Sequence, residues 1–322
     1  MAKEKRIVVI GGGTGVFTVL SGLKKYPHHL SAIVTMADDG GSTGQLREEF
    51  GILPPGDVRR ALLALADSEA ALLAELFTYR FEEGEGLSGH SMGNLLLTAL
   101  ERITGSFERS IGAASQLLGV SGKVIPVTLD DVRLKAVLSD GTEVLGESEI
   151  DVPKKDRLAA IDRVELVGRA RANPRALDAI ATADLVVIGP GDLYTSLLPN
   201  LVVAGIVEAL RTTSAKKVYI VNVMTKHGET DGFSARDFVD AIERVVGKGT
   251  LDIVVVNNVR PPKRTEEFYA SVRKSTEPVV FSEQQFADVL YKVVSADVVK
   301  KEGDLIRHSP ESLAAVIHDL LD

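Results

Sequence analysis

Residues Arg6 to Leu23, RIVVIGGGTGVFTVLSGL, constrain this chain more than any other stretch. A β-branched run, Ile7 to Ile10, breaks into Gly11-Gly12-Gly13-Thr14-Gly15, and apolar residues then resume at helical spacing. Four apolar residues in succession suit a parallel strand covered on both faces. The glycines allow a sharp turn and let a ligand approach amides that no Cβ shields. A helix entered directly from such a loop presents free N–H groups and its positive dipole end, where phosphate oxygens bind. The segment therefore predicts a nucleotide's phosphates at the amino end of the first helix. Its spacing departs from two standard fingerprints. The third glycine of G-x-G-x-x-G falls on Val16, and Val16-Phe17 stands where a P-loop needs Gly-Lys-Ser/Thr. A plain strand-to-helix turn, with glycines for packing, is the competing explanation.

The rest of the chain alternates strand-like and helix-like stretches. Ser31 to Met36 reads as the second strand. Leu53 to Asp57 opens an Ala/Leu-rich helix reaching Leu65, with Asp57 as its expected N-cap, and further helices are expected over Glu69–Phe77, Leu95–Ile103 and Ser106–Leu118. The period then shifts toward 2. Val124–Val127, Val132–Leu138 and Glu143–Leu145 read as short strands, with Ser139-Asp140-Gly141-Thr142 as a hairpin turn. These form an expected antiparallel excursion at about residues 122–162. Alternation resumes from Arg163, with strands expected at Val164–Val167, Leu185–Ile188, Val218–Asn222, Ile253–Asn257 and Val279–Phe281. Ser309-Pro310-Glu311 starts the last helix, with Ser as cap and Pro at the first position. No long linker or internal repeat divides the 322 residues. The expected fold is α/β: one doubly wound, Rossmann-like, mostly parallel sheet over residues 1–322, with the small antiparallel β excursion.

Composition narrows the function classes. Lys and Arg number 37 against 45 Asp and Glu, a net charge of −8, which disfavours general nucleic-acid or anionic-membrane binding. Aromatics make up 5% with no Trp, so stacking surfaces for single-stranded nucleic acid are scarce. Without cysteine there is no disulfide, thiolate nucleophile or Cys-ligated zinc. The start, MAKEKRIVVIGGG, enters the first strand at once, and no run approaches the ~20 apolar residues of a membrane span. A cytoplasmic protein without membrane insertion is expected.

In a wound sheet, ligands bind beyond the carboxyl ends of the strands, so polar loops following strands should converge on one cleft. After the second strand, Asp38 and Asp39 precede Gly-Gly-Ser-Thr-Gly. One of these acids is placed to bond a ribose hydroxyl, or the pair to hold Mg²⁺ bridging phosphates; an Asx turn with a flexible loop is the alternative. Gly89-His90-Ser91-Met92-Gly93-Asn94 exposes amides before a helix, with His90 and Asn94 as extra donors, although a His at this position is commonly structural. Gly189-Pro190-Gly191-Asp192-Leu193-Tyr194-Thr195-Ser196 forms a second glycine-containing strand-to-helix loop, with Asp192, Thr195 and Ser196 as polar handles. Two such loops suit a ligand with two ends, such as a nucleoside diphosphate carrying a further group. Asn222 and the Asn257-Asn258-Val259-Arg260-Pro261 loop also follow strands, and their amides suit the edge of a base or sugar. Gly228 to Gly232 is a further loop of this kind. Arg307 lies just before the last helix, placed to clamp a phosphate or to remain a surface arginine.

Taken in order, GGGTG, MADDGGSTG, PPGDVRRALLALA, GHSMGNLLL, IGPGDLYTSLLPNL and GETDGF resemble the bacterial gluconeogenesis-factor family, which is similar to 2-phospho-L-lactate transferase, an enzyme of deazaflavin coenzyme synthesis. The resemblance runs from Arg6 to about Ile317. It implies a Rossmann-like fold, a nucleotide or nucleotide-sugar ligand and a homo-oligomer. The transferase moves a phospholactyl group from a guanosine-diphosphate-linked donor to a deazaflavin alcohol. The bacterial relatives are regarded as regulators needed for cell shape and envelope synthesis on gluconeogenic carbon, and as binders of UDP-sugars such as UDP-N-acetylglucosamine. Carried over, phosphates fall on Gly11, Gly12, Gly13, Thr14 and Gly15, with more of the ligand near Asp38, Asn94 and Gly189 to Ser196. Arg307 matches a basic position of the bacterial group, though Ser309 follows where an acid and a hydroxyl residue are common. The loop after the second strand lacks the aromatics that the transferase carries there, which argues against a deazaflavin site. Two functions follow as expectations: a UDP-sugar-binding regulator acting on an unidentified partner protein, or a Mg²⁺-dependent transferase using Asp38 and Asp39. An NAD-dependent oxidoreductase is disfavoured by the missing fingerprint glycine and by the lack of a Tyr-x-x-x-Lys pair.

Overall fold

The computed structural model describes residues 4–153, 159–259, 276–300 and 306–321. In chain order the elements are β1 (Arg6–Gly11), α1 (Gly13–Leu23), β2 (His29–Val34), α2 (Gly41–Phe50), α3 (Gly56–Leu65), α4 (Ala71–Thr78), α5 (Met92–Thr104), α6 (Phe107–Leu117), β3 (Lys123–Pro126), β4 (Arg133–Leu138), β5 (Glu143–Leu145), α7 (Glu147–Asp151), β6 (Ile161–Val167), α8 (Pro174–Ala181), β7 (Leu185–Ile188), α9 (Leu198–Leu201), α10 (Ile206–Thr212), β8 (Lys216–Ile220), α11 (Ala235–Val246), β9 (Ile253–Asn257), β10 (Lys292–Ala296) and α12 (Pro310–Asp319). Among the described residues, seven strands form the main sheet in the order β10-β9-β8-β7-β1-β2-β3, and every neighbouring pair is parallel. A three-stranded antiparallel sheet, β5-β4-β6, stands beside it.

The central strands read as unbroken apolar runs because helices cover both of their faces. Ile7, Val9 and Ile10 of β1 and all four residues of β7 are fully buried. Helix α1 packs against α3 and α12. Its seam with α12 is close: a Cβ on Gly22 would sit 2.1 Å from the Pro310 carbonyl oxygen. Ser309 accepts the amide of Ser312 and Pro310 takes the first helical position, so α12 begins as its sequence predicts. The 139–142 turn likewise joins β4 to β5 as an antiparallel hairpin, with Gly141 at positive φ.

Four expectations need correction. Val124–Val127 does not open the antiparallel excursion; β3 extends the main sheet parallel to β2, and its inner residues are buried. Val164–Val167 belongs to β6 of the small sheet, where one buried face gives the strand its mixed exposure. The small sheet thus spans Arg133 to Val167 rather than 122–162. Residues 279–281 form no strand, and the sheet's edge is β10, whose half-exposed KVVSA carries a weak apolar signal. Asp57 is not the N-cap of α3; Pro55 is, and Asp57 lies in the first turn.

Strand order reverses between β1 and β7: the chain winds from β1 to β3 on one side and from β7 to β10 on the other. The carboxyl ends of β1 and β7 therefore flank the crevice in which such sheets bind ligands. Among the described residues, no helix is long and apolar enough to cross a membrane.

Candidate functional site

A cleft of about 700 Å³ opens at that reversal point. Gly12, Gly13, Thr14, Gly15, Asp38, Asn94, Gly191, Asp192, Thr195, Ser196, Asn222 and Arg307 all line it. These residues come from loops after β1, β2, β7 and β8, from the start of α5 and from the approach to α12. Parallel strands end on the same side, which is why loops far apart in sequence meet here.

The β1 and β7 loops are pressed together. A Cβ on Gly15 would lie 1.8 Å from the Pro190 carbonyl oxygen, so only glycine lets the two backbones meet. Gly13 has φ +60, and Arg60 Nη1 and Ser196 Oγ lie 3.5 and 3.7 Å from the position a Cβ would take there. A guanidinium, a hydroxyl and the amino end of α1 thus surround one point. The Gly13 amide donates to Asp57 Oδ1 at 2.9 Å, and Arg60 approaches the same oxygen at 4.0 Å.

Asp57 is a costly group in this position. Burial, reinforced by the charge of Asp38, pushes its carboxyl up to about 6. Burial raises Asp38 as well, although the Gly40 amide (3.0 Å) and the Thr43 hydroxyl favour its ionised form. Glu147, reaching in from α7, is driven up to about 9 by burial and then by Asp38, Asp151, Asp57 and Asp39. Across the cleft, burial and the neighbouring Arg60 and Arg80 lower Arg59 to about 10. His308 is lowered by burial to about 4, and its neutral ring faces the Val221 carbonyl at 3.2 Å.

Several expected residues serve the scaffold. Asn94 accepts from Arg59 Nε at 2.9 Å and donates to Ser42 Oγ at 3.3 Å, so it braces the cationic wall. His90 is buried against Ser42 Oγ at 3.1 Å and does not line the cleft. Asn222 Oδ1 accepts the Gly191 amide at 3.2 Å, tying the β8 loop to the β7 loop. Gly11 and Gly189 lie behind the lining. Gly11 ends β1 with its carbonyl accepting from Asn200 and Thr35, and Gly189 supplies φ +79 at the turn after β7. The 228–232 loop contributes Glu229, a buried carboxylate that accepts from the Tyr194 amide (3.2 Å) and Thr195 Oγ1 (3.1 Å). Asn257 bonds within its own turn, and Arg260 and Pro261 lie outside the described residues.

The two adjacent acids diverge. Asp38 faces the cleft, whereas Asp39 turns away to accept the Glu147 and Ser148 amides at 3.2 and 2.9 Å, with Arg133 at 3.8 Å. It caps α7 rather than sharing a metal with Asp38. The expected result of Asp39→Ala is a loss of roughly 1 kcal/mol in urea-melt stability, the usual worth of a cap. An unchanged melt would show the contact to be idle.

Asp57, Arg59, Arg60, Arg80, Glu147 and Asp151 also line the cleft and were not singled out from sequence. The adjacent Arg59-Arg60 after PPGDV was an available signal; Glu147 and Asp151 offered none, since their helix, α7, reaches the site only through the small sheet. Two places suit a cation. Asp151, Asp192 and Glu229 offer oxygens within 4.8 Å of one another, but the Lys226 ammonium already sits among them, 2.7 Å from Asp192, 3.0 Å from Glu229 and bonded to Asp151. Burial works against that charge, yet the three carboxylates outweigh it and raise Lys226 above its usual range. The Asp38–Asp57 pair is faced by Arg60, whose charge favours the ionised form of both carboxylates without reversing the rise that burial causes. Its all-oxygen, mutually repelling donors fit a hard divalent ion such as Mg²⁺.

The family model for "2-phospho-L-lactate transferase CofD" matches residues 7–299. The chain belongs to that family. Its similar relatives carry the gluconeogenesis-factor name. A putative gluconeogenesis factor of Nostoc sp. is 47% identical, covering 97% of this chain and 68% of its own. The gluconeogenesis factor of Halalkalibacterium halodurans is 46% identical over 98% of this chain and 96% of its own, and that of Bacillus subtilis is 42% identical over 100% and 99%. A crystal structure of a Bacillus halodurans protein superposes with TM-score 0.93 at 45% identity, covering 98% of this chain and 100% of that one. Membership in the CofD family and the gluconeogenesis-factor relatives bear out the resemblance drawn from the six loop motifs, and the wound sheet bears out the expected fold.

Proposed function

We infer that this chain is a gluconeogenesis factor that binds a nucleotide sugar, of the UDP-N-acetylglucosamine type, and regulates an unidentified partner protein controlling carbon flow into the cell envelope. The observation that carries this reading is the point above Gly13, where the α1 terminus, Arg60 Nη1 and Ser196 Oγ converge within a cleft about 700 Å³ in volume. That space suits a small-molecule ligand, and its polar floor suits a diphosphate. Micromolar binding needs about −8 kcal/mol. Charge-assisted hydrogen bonds worth about 1.5–3 kcal/mol each supply this from a few amides and Arg60 and Arg307. Regulation follows if the ligand binds one conformation better than another. The relatives' names support the physiological setting, and a cytoplasmic homo-oligomer is part of the proposal.

A second reading, transfer of a phospho-linked group from a nucleoside diphosphate donor, is favoured by Asp38 and Asp57 and by the description of the family. Asp38 and Asp57 would hold Mg²⁺, which supplies electrostatic stabilisation of the leaving phosphate when bound. Arg60 and Ser196 orient the diphosphate in either case.

Differential scanning fluorimetry with UDP-N-acetylglucosamine, with and without Mg²⁺, tests the first reading. At roughly a hundredfold excess over Kd the ligand contributes about 2.7 kcal/mol to stability, a shift of several degrees. Arg60→Ala is expected to lose most of it while keeping the unliganded melting temperature. Equal shifts in both proteins would sink the assigned pocket. Release of a nucleoside monophosphate from UDP, GDP or CDP donors would favour the second reading.

A further inference from the structure

Helix α4 leaves most of its apolar side chains uncovered. Its sequence, ALLAELFT, buries Phe77 alone. Leu72 is 80% exposed, Leu76 41% and Tyr79 54%, and Leu117 at the end of α6 is 55% exposed beside them. Together they line a shallow groove of about 690 Å³. A helix of two turns gains little stability on its own and depends on the surface it packs against. A contiguous exposed apolar patch rimmed by polar residues marks an interaction surface.

The rim identifies the occupant. Glu69 and Glu75 flank the leucines, and the groove is lined by no Lys or Arg. Two-fold pairing through this same face would bring two more glutamates and no Lys or Arg to the rim, leaving the acids uncompensated. A helix with an apolar stripe and basic flanks meets both features: leucine-like anchors enter the groove and lysines or arginines face the glutamates. The geometry points to α4, with Leu117, as the docking face for a basic amphipathic helix of a different protein. This surface is separate from the nucleotide cleft and does not rest on the function proposed for it.

The test uses the full chain and a labelled peptide of about 18 residues, five helical turns, with Leu at i, i+3, i+4 and i+7 and Lys elsewhere. Fluorescence anisotropy is expected to show saturable binding, weakened roughly tenfold or more by the double variant Leu72→Ser/Leu76→Ser, as loss of central anchors does. A peptide of identical composition with scattered leucines, and one with Glu in place of Lys, should bind no better than the variant does. Amide exchange on the wild-type protein should slow over residues 69–79 when the peptide is added, a readout that needs no variant. Equal binding by the double variant or the scattered peptide, or exchange protection elsewhere, overturns the proposal. A wild-type dimer in sedimentation that Leu72→Ser/Leu76→Ser converts to a monomer overturns the occupant and gives the face to a second copy.

Discussion

Gly15→Ala should be among the most damaging single-methyl changes this fold can suffer, costing about 3 kcal/mol or more of unfolding free energy. The added Cβ would stand 1.8 Å from the Pro190 carbonyl oxygen and 2.5 Å from its carbon, with Gly191 Cα at 3.1 Å. All three neighbours are backbone, so no side chain can swing aside. Overpacking a tight core commonly costs ~1–3 kcal/mol, and a backbone clash at the junction of β1, α1 and the β7 loop belongs at or above the upper end. Relief would require the β7 loop to move away from α1, which also opens the cleft, so ligand binding should fall together with stability. The comparison is Gly112→Ala in α6, where nothing lies within 4 Å of the new Cβ. There the exchange of Gly for Ala within a helix should stabilise, by about 0.5–1 kcal/mol. Urea melts of both variants read this directly. If Gly15→Ala melts within a few tenths of a kcal/mol of wild type, the close approach of the two loops is wrong.

Asp57→Asn is expected to do the opposite to stability while harming function. The carboxyl's ordinary value of 3.8 rises to about 6 in the folded protein. Between those values the native state binds the proton that the unfolded chain has released, so stability falls as pH rises through this window. At pH 7 the full penalty is present, on the order of 3 kcal/mol. Asparagine keeps an oxygen to accept the Gly13 amide and carries no charge to bury. The variant should therefore be more stable than wild type at pH 7, with the gain shrinking below pH 6 and gone near pH 4. A stabilising change at a functional site commonly costs activity, and under the proposed transferase reading Mg²⁺-dependent nucleotide binding should be lost. Denaturant melts at pH 7 and pH 4.5, paired with calorimetric titration in Mg²⁺, check both halves. No gain at pH 7 would mean that Asp57 is comfortably solvated and the acidic pair is not strained.

Much of the cleft was legible in the sequence because its signals are local. GGGTG after an apolar run, GPGD after another and Asn222 at the end of a third each mark a loop following a buried strand. Parallel winding brings such loops to one rim whatever the details between them. The errors have equally local causes. Asp38 and Asp39 look equivalent in sequence, but the fold turns Asp38 into the cleft and Asp39 onto the amides that open α7. His90 carries ligand-type chemistry, yet it is buried against Ser42 outside the cleft lining, whereas Asn94 lines the cleft while bracing Arg59. Asp57 and Arg60 were overlooked for the reverse reason, since acids and arginines in the first turns of a helix are ordinary by composition. Val124–Val127 reads as a hairpin arm because four residues cannot by themselves distinguish a parallel edge strand from one.

The residue order alone determined the wound parallel sheet and the glycine-opened rim at its reversal point, because apolar period and glycine placement act over a few residues. Tertiary structure alone decided the charge state of the site. Asp57, Glu147 and Lys226 take their shifted acidities from burial and from partners that folding brings close, and neither is encoded in the identity of the residue itself.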